Sequence, residues 1–431
     1  MLSSSLYADT SQAAETFDTL RIHGSNTIGE KFAPELIKGF LRKEGYQLLN
    51  NGLSGSKIER EILVKNTLNS EPFQIDLHAH GSSTGFKGLL SLEADIAMSS
   101  RQIKAKEVRD LSRLYPSIAS GEAEHIIAYD ALAIIVNTKN PVMNLSIEDL
   151  AKIFSGEITN WREIGGLDLP IKTFSRDNNS GTYDTFNNLV LKPFDKKLAT
   201  NSVRIESSQE LAESVDEYPE AIGFIGISHV AKDKILAISK TASGTSILPQ
   251  KHTIGTEDYP LSRKLYLYLP TEIENPLAHR FVRFVKSNTG QSLAKKSQLI
   301  SFFPTKSKPQ FRGLTLQRQF KNLRTLGQRL SVAFKLDENK QDAKWRRDVQ
   351  RMVSYSKQNP FQKIVLTGFY GSEQSTTEEK QALKIRMQEL EIQLQNEEID
   401  PWHVHAGYVP TDWPSGLDDS EATGRIEVWV L

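Results

Sequence analysis

At 431 residues the chain has room for two or three domains with cores of their own, on the usual scale of about 100 to 200 residues per domain. Apolar residues make up 38% and charged residues 25%, and no stretch approaches the ~18 uncharged apolar residues of a membrane helix. Lys plus Arg and Asp plus Glu number 53 each and cysteine is absent, which excludes a global pull toward nucleic acid or anionic lipid, a disulfide framework, thiol chemistry and Cys-ligated metal.

Residues 1–18 come before any patterned segment. Ser3-Ser4-Ser5-Leu6-Tyr7-Ala8 ends in small residues and leads into a polar stretch through Glu15, with neither a basic nor an apolar signal region. Two readings stand: the tail of a secretion signal, or a loose N-terminus. From Thr19 to about Pro304, short β-rich runs alternate with runs of helical period. Leu20-Arg21-Ile22-His23 is followed by Ile28, Phe32, Ile37, Phe40 and Leu41 on one helical face, and such alternation predicts α/β layers. Strands are expected at 73–77, 126–127, 131–136, 171–174, 221–225 and 264–269, and helices at 147–154, 182–191 and 276–286. A block of this size fits two lobes, with Phe154 and Trp161 in the core.

Residues 305–329 carry Lys306, Lys308, Arg312, Arg318, Lys321, Arg324 and Arg329, with no acid before Asp337, and are expected to form a solvated basic linker. A separate α+β domain is expected over 330–431, with strands at 330–336, 363–369, 402–406 and 426–430 and helices at 341–356 and 377–397.

The first block repeats one local grammar: a strand, a cluster of small hydroxyl, amide and glycine residues, then a helix. It occurs at Gly24-Ser25-Asn26-Thr27, at Gly81-Ser82-Ser83-Thr84-Gly85 and at Asn178-Asn179-Ser180-Gly181-Thr182. The first turn of a helix has N–H groups without internal partners, so each start can face an anion. Arg176, beside the third cluster, has a planar fork that grips two oxygens of a tetrahedral anion. Simple N-capping explains any one cluster equally well, and Thr27 with Glu30 reads as a capping box.

Gly81-Ser82-Ser83-Thr84-Gly85 also matches the G-x-S-x-G elbow of a serine hydrolase, which would need an acid and a histidine further along. His78 with His80, and His403 with His405, have the spacing that places both rings on one face of a strand and could suit a metal, but neither pair comes with an obvious third ligand and ordinary polar surface is the expectation. A P-loop lysine and a G-x-G-x-x-G fingerprint are both missing.

Leu145-Ser146-Ile147-Glu148-Asp149-Leu150, then Phe154-Ser155-Gly156-Glu157-Ile158-Thr159-Asn160-Trp161, Gly165-Gly166 and Arg176-Asp177-Asn178-Asn179-Ser180-Gly181-Thr182 together resemble the phosphate-binding protein of the Pst-type ABC importer. Ala221-Ile222-Gly223-Phe224-Ile225-Gly226 and Tyr266-Leu267-Tyr268-Leu269 extend the resemblance over nearly all of residues 19–304. It implies a two-lobed periplasmic-binding-protein, or Venus flytrap, fold that closes over dehydrated phosphate. By position, Thr27 and the backbone of Ile28 supply the first helix start, Ser82 the second, and Arg176, Ser180, Gly181 and Thr182 the third, with Asn26 and Ser83 beside them. Ser100 stands where certain relatives carry an aspartate that accepts the proton of HPO4 and rejects fully ionised sulfate; a serine can donate or accept. Its neighbour Arg101 is read either as a surface ion-pair residue or as a second anion contact.

The segment 330–431 resembles a degenerate OmpA-like domain in its β-α-β-α-β order and in Leu366-Thr367-Gly368-Phe369, Arg386 and Gly424-Arg425-Ile426-Glu427-Val428. Such domains hold the diaminopimelate of peptidoglycan with an aspartate and an arginine. Arg386 falls at the arginine position, Gly371 where the aspartate belongs, and a salt bridge from Arg386 to Glu389 or Glu379 is the plainer role.

The combined expectation is an α/β two-lobed binding domain (19–304), a basic linker (305–329) and a smaller α+β OmpA-like domain (330–431), in the periplasm or envelope of a Gram-negative bacterium. It would capture phosphate for uptake or scavenging, with an ABC permease and peptidoglycan as partners and with no nucleic acid, cofactor, metal or catalysis. Two other classes stay open: a serine esterase using Ser83, and a structural or adhesive envelope protein that has lost its ligand.

Overall fold

Twelve strands of the first block join one sheet, ten of them along a single path of hydrogen-bonded neighbours and two more paired to a strand within it, and the two ends of that path belong to different lobes. The computed structural model describes residues 18–52, 59–66, 72–230, 234–308, 326–336, 343–369, 376–397, 399–406 and 424–431. The expectations for residues 1–17, for most of the linker and for Gly371 lie outside the described residues.

The chain opens with β1 (Asp18–Gly24), α1 (Asn26–Gly29), α2 (Phe32–Glu44), β2 (Tyr46–Gly52), β3 (Glu59–Asn66), β4 (Pro72–His78), α3 (Ser82–Leu90), β5 (Ile96–Ser99), α4 (Ala105–Leu111) and α5 (Pro116–Ser120). It crosses to the second lobe on β6 (Glu124–Val136), which is followed by β7 (Asn144–Ser146), α6 (Ile147–Ser155), β8 (Lys172–Arg176), α7 (Gly181–Phe186), β9 (Val203–Ile205), α8 (Ser208–Glu217), β10 (Ala221–Gly226), β11 (Lys234–Ile235), β12 (Ala237–Ser239) and α9 (Lys251–Gly255). It returns on β13 (Ser262–Tyr268) and ends the block with α10 (Pro276–Lys286), α11 (Asn288–Lys296) and β14 (Ile300–Ser301). The sheet order is β2-β3-β4-β1-β5-β13-β6-β10-β8-β9.

Both faces of each half of the sheet are apolar, so each half needs cover on two sides. In the first lobe Leu20, Ile22, Ile75 and Leu77 pack with Phe40, Phe281 and Phe284, while Phe86, Leu111 and Tyr268 cover the opposite face. In the second, Phe154, Trp161, Phe186 and Phe224 form one core, and Phe174, Leu211 and Val215 close the other face.

β6 is where the lobes meet. It pairs with β13 from Glu124 to Ala131 and with β10 from Leu132 to Val136, and Leu132 N donates to Leu261 O at 2.9 Å as the chain prepares to return. The two short strands expected at 126–127 and 131–136 are therefore one. Asp130 interrupts the apolar pattern but not the strand, because Arg263 lies opposite it on β13. The expected helix 182–191 is also modified: α7 stops at Phe186 and a wide π-helical turn carries Asn187–Leu191.

The remaining described residues form a five-stranded sheet in the order β15 (Lys306–Ser307), β16 (Gln328–Lys335), β19 (Arg425–Val430), β17 (Ile364–Phe369), β18 (Val404–Ala406). Helices Ala343–Gln358 and Thr377–Asn396 bury Trp345, Met352, Leu383 and Leu390 with Val332, Leu366 and Val428. Two parts of the expected linker are sheet instead: Lys306 pairs with Leu330, and Arg329 lies in β16 and meets Glu427 at 3.0 Å. This domain sits against the second lobe and the crossing strands. Arg347 donates to Tyr129 Oη at 3.0 Å and Glu257 Oε1 at 2.5 Å, and Arg425 donates to Asp258 Oδ2 at 2.9 Å.

Candidate functional site

Parallel strands point their carboxyl ends the same way, and ligands of open α/β sheets gather beyond those ends. In the first lobe β1 is parallel to β4 and β5, which sets α1, α3 and the Ser99-Ser100-Arg101 turn side by side. In the second, β8 is parallel to β9 and β10, which sets Arg176, α7 and the Glu206-Ser207 turn together. The two groups face one another.

Their side chains touch across the cleft. Thr27 Oγ1 lies 3.2 Å from Thr182 Oγ1, and Arg176 Nη2 donates to Asn26 Oδ1 at 3.3 Å. A Cβ at Gly181 would stand 2.1 Å from Ser82 Oγ and 2.6 Å from Ser100 Oγ, so only glycine lets the start of α7 approach those hydroxyls. Gly24 has φ of +131° and its Cβ would meet Met98 O at 2.2 Å; that turn delivers the chain from β1 into α1.

Arg176 is completely buried. It donates to Ser208 Oγ at 2.6 Å, to Ile205 O at 3.1 Å, to Asn26 Oδ1 and to Glu206 O. All of these acceptors are neutral, and an Asp177 oxygen stands 4.0 Å away. Burial pushes its pKa down to about 10, the direction expected of a cation without a close counter-charge. Asn26 Oδ1 also accepts from Ser208 Oγ at 3.3 Å, which turns its amide nitrogen the other way. That nitrogen and Ser25 Oγ are buried and have no hydrogen-bond partner among the described residues.

The remaining expected residues fall as follows. Ser82 Oγ accepts from Ser100 N at 3.0 Å and lies 3.3 Å from Ser100 Oγ. Ser180 caps α7, accepting from Thr182 N at 3.2 Å and Tyr183 N at 3.3 Å. Ile28 is a buried residue of α1. Thr27 and Glu30 make no capping box: α1 begins after Ser25, Thr27 is inside it, and the Glu30 carboxylate accepts from Ser207 Oγ at 3.2 Å.

Arg101 is an ion-pair residue, but not on the surface. Its guanidinium is buried and donates to Asp184 Oδ2 at 2.8 Å, Glu107 Oε1 at 2.6 Å and Oε2 at 2.8 Å, Gln102 O at 3.0 Å and Ser83 Oγ at 3.2 Å. Five N–H groups then have five acceptors, leaving none for an anion. Ser83 does follow β4 and open α3, as an elbow serine would. Its hydroxyl accepts from Arg101, and among the described residues no histidine hydrogen-bonds to it.

His80 is part-exposed and polar, as expected, and it also joins the lobes, with Nε2 2.5 Å from Glu59 and Nδ1 3.2 Å from Glu206. His78 stacks on His23 with ring centroids 4.2 Å apart. Arg386 meets Glu389 at 3.5 Å and lies 4.5 Å over the Trp345 ring.

Sequence reasoning missed Ser208, Asp130 and Arg263. Arg263 Nε and Nη2 donate to Asp130 Oδ2 at 2.9 and 2.6 Å. Nη1 donates to Thr182 Oγ1 at 2.8 Å and Nη2 to Thr27 Oγ1 at 3.3 Å. One signal was available: Asp130 is an acid embedded in the apolar run of β6, and such a carboxylate calls for a partner of opposite charge.

Residues 60–289, more than half of the chain, match the PBP superfamily domain. The phosphate-binding protein PstS of Borreliella burgdorferi is 31% identical over 244 residues, covering 56% of this chain and 83% of that protein. Protein SphX of Synechococcus elongatus is 32% identical over 240 residues, covering 53% of this chain and 68% of the relative. Among solved structures, a Clostridium perfringens protein described as a phosphate ABC transporter substrate-binding protein, with bound phosphate, superposes with a TM-score of 0.52 at 26% identity and covers 66% of this chain and 99% of that one. The chain belongs to the PBP superfamily, among the relatives of the PstS phosphate-binding proteins.

Proposed function

We propose that this protein captures inorganic phosphate between its two lobes for delivery to an ABC importer. The observation that carries the reading is Arg176, a wholly buried guanidinium whose hydrogen-bonded partners are all neutral. A dianion bound beside it supplies the missing counter-charge. Drying such an ion takes several charge-assisted hydrogen bonds, each about 1.5 to 3 kcal/mol, in place of its water. Asn26, Thr27, Ser82, Ser100, Gly181 and Thr182 supply amide, hydroxyl and backbone donors for that purpose. Ser180 holds α7 in place through its cap, and Ser83 acts at one remove through Arg101. The relatives named for phosphate binding support the same ligand. Calorimetric titration with phosphate tests it: the wild type gives a one-to-one isotherm, Arg176→Ala a flat one, and unchanged affinity in the variant would refute the site.

The PstS relatives are named as phosphate-binding proteins, and Ser83 accepts from Arg101, which together favour capture over catalysis. A fluorophosphonate that labelled Ser83 would revive the esterase reading.

The C-terminal domain is inferred to be OmpA-like and to hold the protein near the cell wall of a Gram-negative periplasm. Its β-α-β-α-β order and the position of Arg386 support the fold. The Arg386 contact with Glu389 favours a structural role for that side chain, so wall binding is expected to be weak. Retention of the full chain on purified peptidoglycan measures it, and no retention would leave a domain that only scaffolds.

A further inference from the structure

The assignment of Arg176 leaves a second buried guanidinium unexplained. Arg263 lies on β13 and its partner Asp130 on β6, opposite one another in the strand register. Those are the two strands that carry the chain between the lobes, and both side chains are buried. An ion pair that only neutralised a hinge would need nothing more. Arg263 also reaches Thr27 Oγ1 in the first lobe and Thr182 Oγ1 in the second.

We propose that Arg263 is a positioning residue of the anion site: anchored by Asp130, it orients the Thr27 and Thr182 hydroxyls so that both donate to the bound oxyanion. Arginine has only donors. Each threonine oxygen that takes an N–H from it is therefore an acceptor in that bond, and the hydroxyl proton must point elsewhere. It can point to the neighbouring hydroxyl, 3.2 Å away, or to an anion between the lobes. A ligand offering acceptor oxygens attracts both protons without a reorganisation step, the advantage of fixed dipoles. The same contacts tie ligand capture to closure, since one guanidinium holds a hydroxyl from each lobe only while the lobes are together. A lysine at 263 would keep the charge opposite Asp130 but has no planar fork to serve both hydroxyls.

The inference rests on the phosphate reading, and titration calorimetry of the full chain separates the two. Wild type, Arg263→Lys and the paired variant Arg263→Met with Asp130→Leu are titrated with phosphate, arsenate and sulfate, each with Thr182 intact and with Thr182→Val. The paired replacement guards against misfolding, because removing both members of a buried ion pair is commonly tolerated. The expected result is a loss of about tenfold or more in affinity in Arg263→Lys and in the paired variant, with most of that loss absent once Thr182 is valine, the signature of coupled residues. Wild-type affinity in Arg263→Lys, or losses that simply add to that of Thr182→Val, would overturn the positioning role and leave the phosphate site standing. A wild type that binds none of the three anions would overturn both.

Discussion

Arg351 of the C-terminal domain donates to the carbonyl oxygen of Gly255 in the second lobe at 3.0 Å. It also donates to Phe302 O at 2.8 Å, Ser331 O at 2.9 Å and Asp348 Oδ1 at 2.8 Å, and it is completely buried. One side chain thus fastens three segments together, and the two domains are expected to unfold as a unit. Arg351→Ala leaves Asp348 buried with one fewer counter-charge and three carbonyls unpaired, for a loss of about 3 to 5 kcal/mol. Scanning calorimetry should show the wild type's single transition split in two; one unshifted transition in the variant would contradict the docking role.

Arg176 illustrates stability given up for binding. A buried cation with neutral partners is costly in the ligand-free protein, and a Met of similar length relieves that cost. Arg176→Met is expected to melt close to the wild-type temperature without ligand, because relief of the buried charge offsets the donors lost by Ile205 O, Glu206 O, Ser208 Oγ and Asn26 Oδ1. Its phosphate affinity should fall about a hundredfold or more, since charged hydrogen bonds of about 1.5 to 3 kcal/mol are lost and 1.4 kcal/mol is tenfold. A variant that melts much lower would argue that the guanidinium is structural.

His80 gives the closed form a pH dependence. Burial alone would lower its pKa, but hydrogen bonds to Glu59 and Glu206 outweigh burial and leave it raised above 6.5. A raised pKa stabilises fully below the ordinary value, and the contribution is lost as pH rises through the raised one. Glu206 is in the other lobe, so the link favours closure at low pH. The affinity of wild type relative to His80→Gln should be highest below the ordinary imidazole range and decline toward equality as pH rises above it. Taking the ratio cancels the titration of phosphate itself, and a ratio that does not change with pH would dispose of the latch.

Ser100 sets what the site rejects. With hydroxyls at Ser82 and Ser100, neither position forces a proton onto the ligand, so sulfate should compete with phosphate in the wild type. Ser100→Asp installs an acceptor-only group, and sulfate binding should drop about tenfold or more while HPO4 still binds. Competition dialysis decides, and a wild type already blind to sulfate would place discrimination elsewhere.

The elements that were legible in the sequence are those whose cause is local. Ala221–Gly226 is a strand because an uninterrupted apolar run suits a doubly covered sheet, and Pro276–Lys286 is a helix with Asn275 as cap and Pro at its first turn. The cluster after Arg176 was readable because a cap and the helix it starts are neighbours in the chain. The capping box expected at Thr27 does not form for a related reason: the motif is local, but α1 is only four residues long and Thr27 answers to Thr182.

The amino-acid order alone determined the α/β alternation, the three helix starts and the arginine that accompanies them, all interactions between near neighbours. Tertiary structure alone decided that those starts face one another, that Asp130 finds Arg263 across 133 residues, that His80 spans the cleft, and that Arg351 fastens the last domain to the second lobe. Those pairings depend on strand order and lobe closure. Strand order and closure follow from burying both faces of a shared sheet, a condition of the whole chain that no short segment contains.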